Sequence, residues 1–235
     1  MALVKPVASL DWSAIHSALD EQGYARVPDL LSRTECQHIA GLYSAANSHF
    51  RSTINMARYN FGRGEYKYFD YPLPDIIAQL RSSFYPHLAA IANHWANHLG
   101  NDEHWPKTLD LLLERCHRAN QLRPTPLLLR YAEGDYNCLH QDLYGEIHFP
   151  LQVIIQLSDR QEYSGGELVL VEQRPRMQSR PVVIPLDQGS AVIIPVRDRP
   201  VKGSRGWRRN SMRHGVSEVT QGTRQTLGLI FHDAK

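Results

Sequence analysis

At 235 residues, with 42% hydrophobic and 21% charged residues, 15 Gly and 14 Pro, the chain reads as a turn-rich globular protein, and this composition excludes a disordered or low-complexity polypeptide. The net charge is only +2, the first 30 residues lack the apolar core of a signal peptide, and no run approaches the ~20 apolar residues that span a bilayer, so the expectation is a cytoplasmic protein without membrane partners. Three cysteines, Cys36, Cys116 and Cys138, form no C-x-x-C pair and fit reduced thiols better than a disulfide framework or a cysteine zinc site.

In chain order, Ser32 with Glu35 three residues later is a capping box, and apolar positions Cys36, Ile39, Ala40, Leu42, Tyr43 and Ala46 follow at helical spacing. The stretch 50–71, FRSTINMARYNFGRGEYKYFDY, is dense in Arg and Tyr and is a candidate lid over a binding site. A long helix is expected from Pro74 to Gly100, broken or kinked at Pro86, with a further helix over 106–119. After RPTP at 123–126 the hydrophobic period changes. Seven or so short β-rich runs separated by Gly and Pro predict a sandwich or jelly roll over 123–235, buttressed by a mainly helical 1–122, the whole forming one α+β domain.

The sequence NCLHQDLYGE at 137–146 places His140 and Asp142 two residues apart. Roughly 0.7 such triplets are expected by chance in this composition, so context must decide. On a strand, Cys138, His140 and Asp142 share one face, Cys138 serving as a small apolar wall residue. His214, in SMRHGVSEV, supplies a third ligand from a distant strand. Two histidines and one carboxylate form the facial triad of non-haem Fe(II) oxygenases, which leaves positions open for co-substrate, oxygen or water; the same ligands can also hold zinc in a hydrolase. Arg224, ten residues after His214, carries a planar fork suited to the far carboxylate of 2-oxoglutarate, and Thr226 on the same face adds a hydroxyl.

The runs LLLRYAEGDYNCLHQD, GGELVL and RHGVSEVTQGTRQTLGLIFHD resemble the double-stranded β-helix core of the Fe(II)/2-oxoglutarate-dependent dioxygenase superfamily, in both its prolyl-hydroxylase-like and AlkB-like branches. The whole chain further resembles a bacterial family of 2-oxoglutarate-Fe(II) oxygenases assigned to oxidative repair of damaged nucleic-acid bases. That resemblance implies His140, Asp142 and His214 as ligands of Fe(II), Arg224 as the anchor of 2-oxoglutarate, Tyr131 as a further contact to it, and O2 as the second co-substrate. It departs from the AlkB-like pattern at Leu129, where that branch has Asn, and the spacing from His214 to Arg224 is prolyl-hydroxylase-like.

The stretch 197–213 is a second clue. It holds Arg197, Arg199, Lys202, Arg205, Arg208, Arg209 and Arg213 against Asp198, a local +6, so the remainder of the chain carries −4. Running directly into His214, this loop is expected near the mouth of the iron site, where Arg205, Arg208, Arg209 and Arg213 would contact phosphates and Trp207 would stack on a base. An acidic polypeptide would be attracted equally. Three functions therefore stand: oxidation or demethylation of nucleic-acid bases, hydroxylation of a protein side chain such as proline, and a non-catalytic jelly-roll binding module.

Overall fold

The computed structural model describes residues 6–46, 50–102, 104–174, 176–204 and 206–235. In chain order the first part contains α1 (Trp12–Gln22), β1 (Ala25–Val27), α2 (Arg33–Gly41), β2 (Phe50–Asn55), β3 (Gly62–Arg63), β4 (Glu65–Phe69), α3 (Asp75–His98) and α4 (Leu109–Arg118). The second contains β5 (Leu127–Ala132), β6 (Tyr136–His140), β7 (Leu151–Gln156), β8 (Tyr163–Gly165), β9 (Leu168–Gln173), β10 (Arg180–Ile184), β11 (Ala191–Pro195), β12 (Asp198–Gly203), β13 (Gly206–Val216) and β14 (Val219–Leu229).

Every strand pairing among the described residues is antiparallel. One sheet runs β1-β11-β7-β14-β5-β4-β2 with β8 also on β14; the other runs β10-β9-β13-β6-β3 with β12 also on β13. The expected α+β jelly roll is present, helices on one face. The first half is less helical than expected, because β1 to β4 lie within it.

Alternation along the central strands explains the layering. On β7, Leu151, Val153 and Ile155 join a core that includes Leu80, Phe84, Leu88 and Trp95 of α3, while Gln152 and Ile154 face the other way into a cavity between the sheets. β14 repeats the pattern, with Leu227 and Leu229 toward the helices and Arg224, Thr226 and Gly228 toward the cavity. A smaller core, including Leu168, Leu170, Val192, Ile194 and Met212, fills the space between the sheets beside it.

Helix ends follow their caps. Ser32 and Glu35 form the expected reciprocal box, Thr108 caps α4, and Asp11 caps α1, a helix the sequence reading did not anticipate. The expected break at Pro86 does not occur: α3 continues through it. Pro86 is exposed, so the carbonyl it deprives of a partner faces water, while Phe84, Tyr85, Leu88 and Ala89 hold the helix against the core on either side. The Arg- and Tyr-rich stretch is woven into both sheets, β2 and β4 extending one and β3 the other. No helix among the described residues is long and apolar enough to cross a membrane.

Candidate metal centre and co-substrate pocket

His140 is the last residue of β6 and pairs in register with His214 on β13, which brings the two imidazoles to 4.2 Å between centroids. Asp142 stands two residues beyond the strand end, so strict alternation does not position it. Its placement comes from hydrogen bonds: the Tyr144 hydroxyl donates to Oδ1 at 2.6 Å and the Gln152 amide to Oδ2 at 2.8 Å. Between them, Gln141 turns away and donates to Arg197 O, Ser211 Oγ and Met212 O, tying the loop to β13.

The three side chains converge. Nε2 of His140 lies 3.5 Å from Asp142 Oδ1, and Nε2 of His214 lies 3.3 Å from Oδ2. The carbonyl of Cys138 faces His140 Nδ1 at 2.8 Å, which favours the proton on that nitrogen and leaves the Nε2 lone pair free to bind a cation. Burial alone would raise the Asp142 carboxyl, but the adjacent imidazoles reverse this and hold it well below its ordinary value, so it is an anion. These donors form a group able to hold a metal ion.

The cavity beside them measures about 270 Å³ and is lined by residues of both sheets, including Tyr131, Asn137, Gln152, Arg224 and Thr226. Asn60, Phe61 and Tyr66 come to it from the expected lid segment. Arg224 is 2% exposed, forms no ion pair with any carboxylate among the described residues, and has a buried Nε without a hydrogen-bond partner. Burial lowers its affinity for a proton, and the Tyr163 hydroxyl and the Glu167 carboxylate offset this only in part. Tyr131 is fully buried beneath the guanidinium, 5.8 Å from it, and its hydroxyl accepts from Asn137 Nδ2 at 3.3 Å.

A glycine pair makes this approach possible. Gly165 and Gly166 both adopt positive φ in the turn from β8 to β9, and a Cβ on Gly166 would lie 2.8 Å from Val219 Cγ2 and 3.0 Å from Arg224 Cδ. The GGE motif thus holds open the space in which Arg224 lies.

The basic stretch takes a different place from the expected one. None of Trp207, Arg208, Arg209 and Arg213 lines the cavity. The reason is geometric: β12 and β13 form a hairpin, and at ~3.3 Å per residue the six residues from Arg208 to His214 span roughly 20 Å. Arg213, one residue before His214, is exposed on the opposite face of the strand. Trp207 stacks on His98 of α3 at 3.7 Å between centroids, and Arg209 pairs with Asp198 at 3.2 Å. Arg205 lies outside the described residues. Sequence reasoning missed Tyr144, Gln152, Gln141 and Asn137, whose roles depend on tertiary neighbours and carry no spacing signature.

Comparison with known proteins agrees with this geometry. Two uncharacterised proteins of Mycobacterium tuberculosis, from strains CDC 1551 and H37Rv, are each 51% identical over 167 residues, covering 71% of this chain and 72% of theirs. Among solved structures, a Pseudomonas putida prolyl-4-hydroxylase superposes with a TM-score of 0.56 at 11% identity, over 95% of this chain and 100% of that one. A Burkholderia pseudomallei oxidoreductase of the 2OG-Fe(II) oxygenase family gives 0.55 at 15%, over 96% and 93%. A Trichoplax adhaerens prolyl hydroxylase, solved with a hypoxia inducible factor peptide, gives 0.57 at 18%, over 94% and 89%. At such identities these likenesses establish the jelly-roll fold alone. A family model described as "Oxygenase, catalysing oxidative methylation of damaged DNA" matches residues 64–234, and the chain belongs to that family of oxygenases.

Proposed function

We propose that the chain is an Fe(II)/2-oxoglutarate-dependent dioxygenase acting on methylated or otherwise damaged nucleic-acid bases, with residues 1–235 as one oxygenase domain. The observation that carries the reading is the buried Arg224, with an unsatisfied Nε and no ion pair among the described residues, facing the same cavity as the convergent His140, Asp142 and His214. A cation so placed needs an anion, and a dicarboxylate reaching from the metal to Arg224 supplies one.

In this reading His140 Nε2, His214 Nε2 and an Asp142 oxygen hold Fe(II). Arg224 binds the far carboxylate of 2-oxoglutarate, Thr226 offers it a hydroxyl donor, and Tyr131 packs beneath the guanidinium. When bound, Fe(II) and 2-oxoglutarate supply oxidation of a substrate C–H by O2, with 2-oxoglutarate leaving as succinate and CO2. Tyr144 and Gln152 keep the Asp142 carboxylate oriented, and the apolar walls from Leu127, Leu129, Ile154 and Leu168 exclude water. An oxygenase places oxygen on the methyl carbon, so a methylated base would lose that carbon as formaldehyde.

Family membership supports the nucleic-acid substrate. The stacked, exposed pair Tyr59 and Phe61, 5.5 Å between centroids, offers a surface for an unstacked base, Phe61 lining the cavity itself. Hydroxylation of a protein side chain is the second reading, favoured by the remoteness of the basic hairpin from the cavity and by exposed Phe61 and Leu139 on its lining. Affinity for single-stranded DNA that falls steeply with salt supports the first reading; salt-independent peptide binding supports the second.

The test of the cofactor site is anaerobic titration of the Fe(II)-loaded protein with 2-oxoglutarate, following the visible charge-transfer band. Wild type should give the band, His140→Ala should not, and Arg224→Met should need far more 2-oxoglutarate to reach it. Bound iron without a band in wild type removes 2-oxoglutarate from the mechanism.

A further inference from the structure

A second group of His and Asp side chains of the kind that could hold a metal ion lies outside the cavity, between α1 and α3. His16 and Asp20 stand one turn apart on α1, and His94 and His98 one turn apart on α3, so each helix presents an i, i+4 pair on one face. Asp20 Oδ2 is 3.5 Å from His16 Nε2 and 3.8 Å from His94 Nε2. The rings of His16 and His94 meet edge to face at 4.7 Å, and the ring of His98 lies 4.1 Å from that of His94. None of these residues has a part in the oxygenase reading.

Two details separate the cluster from ordinary surface ion pairs. His16 Nε2 is sealed from solvent and makes no hydrogen bond of good geometry, Asp20 Oδ2 standing 3.5 Å away, so its lone pair faces the centre of the group unsatisfied. Asp20 Oδ1 accepts the indole N–H of buried Trp95 at 2.6 Å, which fixes the carboxylate and turns Oδ2 toward the two imidazoles. A hydrogen-bonded partner behind a carboxylate is how proteins orient metal ligands.

We infer that His16, Asp20 and His94 form a second metal site for a zinc-class cation that clamps α1 to α3, with the fourth position left to water or to a turn of the neighbouring His98. The donor chemistry selects the ion: imidazoles with a single free carboxylate oxygen suit Zn(II) or Co(II), whereas Ca(II) and Mg(II) require more oxygen. The spacing suits it too. A tetrahedron with ~2.0 Å bonds has edges of ~3.3 Å, within a few tenths of an ångström of the two separations from Asp20 Oδ2, and the donor atoms of His16, Asp20 and His94 all lie within 4.8 Å of one another. Trp207 stacks on His98 next to the hairpin turn, and Arg199 Nη1 near its root donates to Asp20 O at 2.8 Å, so the site lies along the basic hairpin and would brace it.

The experiment is titration of the tag-free full chain with Co(II), followed by visible absorption, with metal content counted after gel filtration. Wild type should take two equivalents. His140→Ala/His214→Ala should retain one, with the intense absorption of tetrahedral Co(II); adding His94→Ala should abolish it, and Trp95→Phe should weaken it ~10–100-fold. Zn(II) should raise the Tm of His140→Ala/His214→Ala but not of the same protein carrying His16→Ala and His94→Ala. A single equivalent in wild type that disappears with His140→Ala/His214→Ala overturns the inference. Should that variant fail to fold, His16→Ala/His94→Ala in the otherwise native chain gives the count: loss of one of two equivalents is expected, and unchanged stoichiometry overturns the site.

Discussion

Asp142 is held by two neutral donors, the Tyr144 hydroxyl and the Gln152 amide, and this arrangement makes a quantitative demand on the centre. Tyr144→Phe removes one donor while keeping the ring, so Fe(II) affinity should fall ~10–100-fold with little change in the fold. Competitive chelator titration measures it, and an unchanged affinity would mean that Gln152 alone orients the carboxylate. At this scale the four residues with motif spacing, His140, Asp142, His214 and Arg224, were legible because imidazole, carboxylate and guanidinium carry chemistry whatever surrounds them. Tyr144 and Gln152 were not: each is ordinary in composition, and only the meeting of β7 with the loop after β6 turns them toward Asp142. Trp207 has a ring suited to stacking on a base, but its place in the fold is set by His98, more than a hundred residues earlier, which nothing in its own neighbourhood of the sequence announces.

Elements were legible wherever a local signal agreed with burial. The capping box at Ser32 and Glu35 and the short β-rich runs that became β7, β11 and β14 are such cases, whereas α1 carries a weak signal because its buried stripe includes only Ile15 and Leu19. Pro86 is the instructive exception. Local propensity demands a break, yet α3 buries Phe84, Tyr85, Leu88 and Ala89 around it, and the tertiary gain exceeds the ~3 kcal/mol that proline costs in a helix interior. Pro86→Ala should therefore stabilise the protein, by up to ~3 kcal/mol, as read from the midpoint of urea unfolding. A neutral result would indicate that the unfolded chain gains from the lost proline as much as the helix does.

At the scale of the whole molecule, the chain's end is a structural junction. Asp233, fully buried, accepts from Arg81 Nη2 at 2.9 Å, while Arg81 Nε and Nη2 also hold the carbonyls of Ile230 and Phe231, so α3 is fastened to the exit of β14. The sequence offered only a terminal His-Asp with no ligand spacing. Its partner Arg81 lies in a helix where an arginine reads as a surface residue, and the pairing is visible only after folding. Beside it His232 is fully buried, its Nδ1 accepting from the Phe149 N–H at 3.1 Å. Burial first, then the nearby His148 and Arg81, push its pKa down to about 3, against 6.5 for a free histidine. The unfolded chain thus binds a proton below 6.5 that the native chain refuses until about pH 3, so stability is full above 6.5 and declines as the pH falls through that window. The slope contributed by this one group approaches ~1.4 kcal/mol per pH unit. Urea unfolding at pH 7.5 and pH 5 should reveal the loss in wild type, and His232→Asn, which keeps an acceptor for Phe149 but cannot titrate, should lose distinctly less. Equal losses in the two proteins would transfer the acid sensitivity to other histidines and leave His232 a silent core residue.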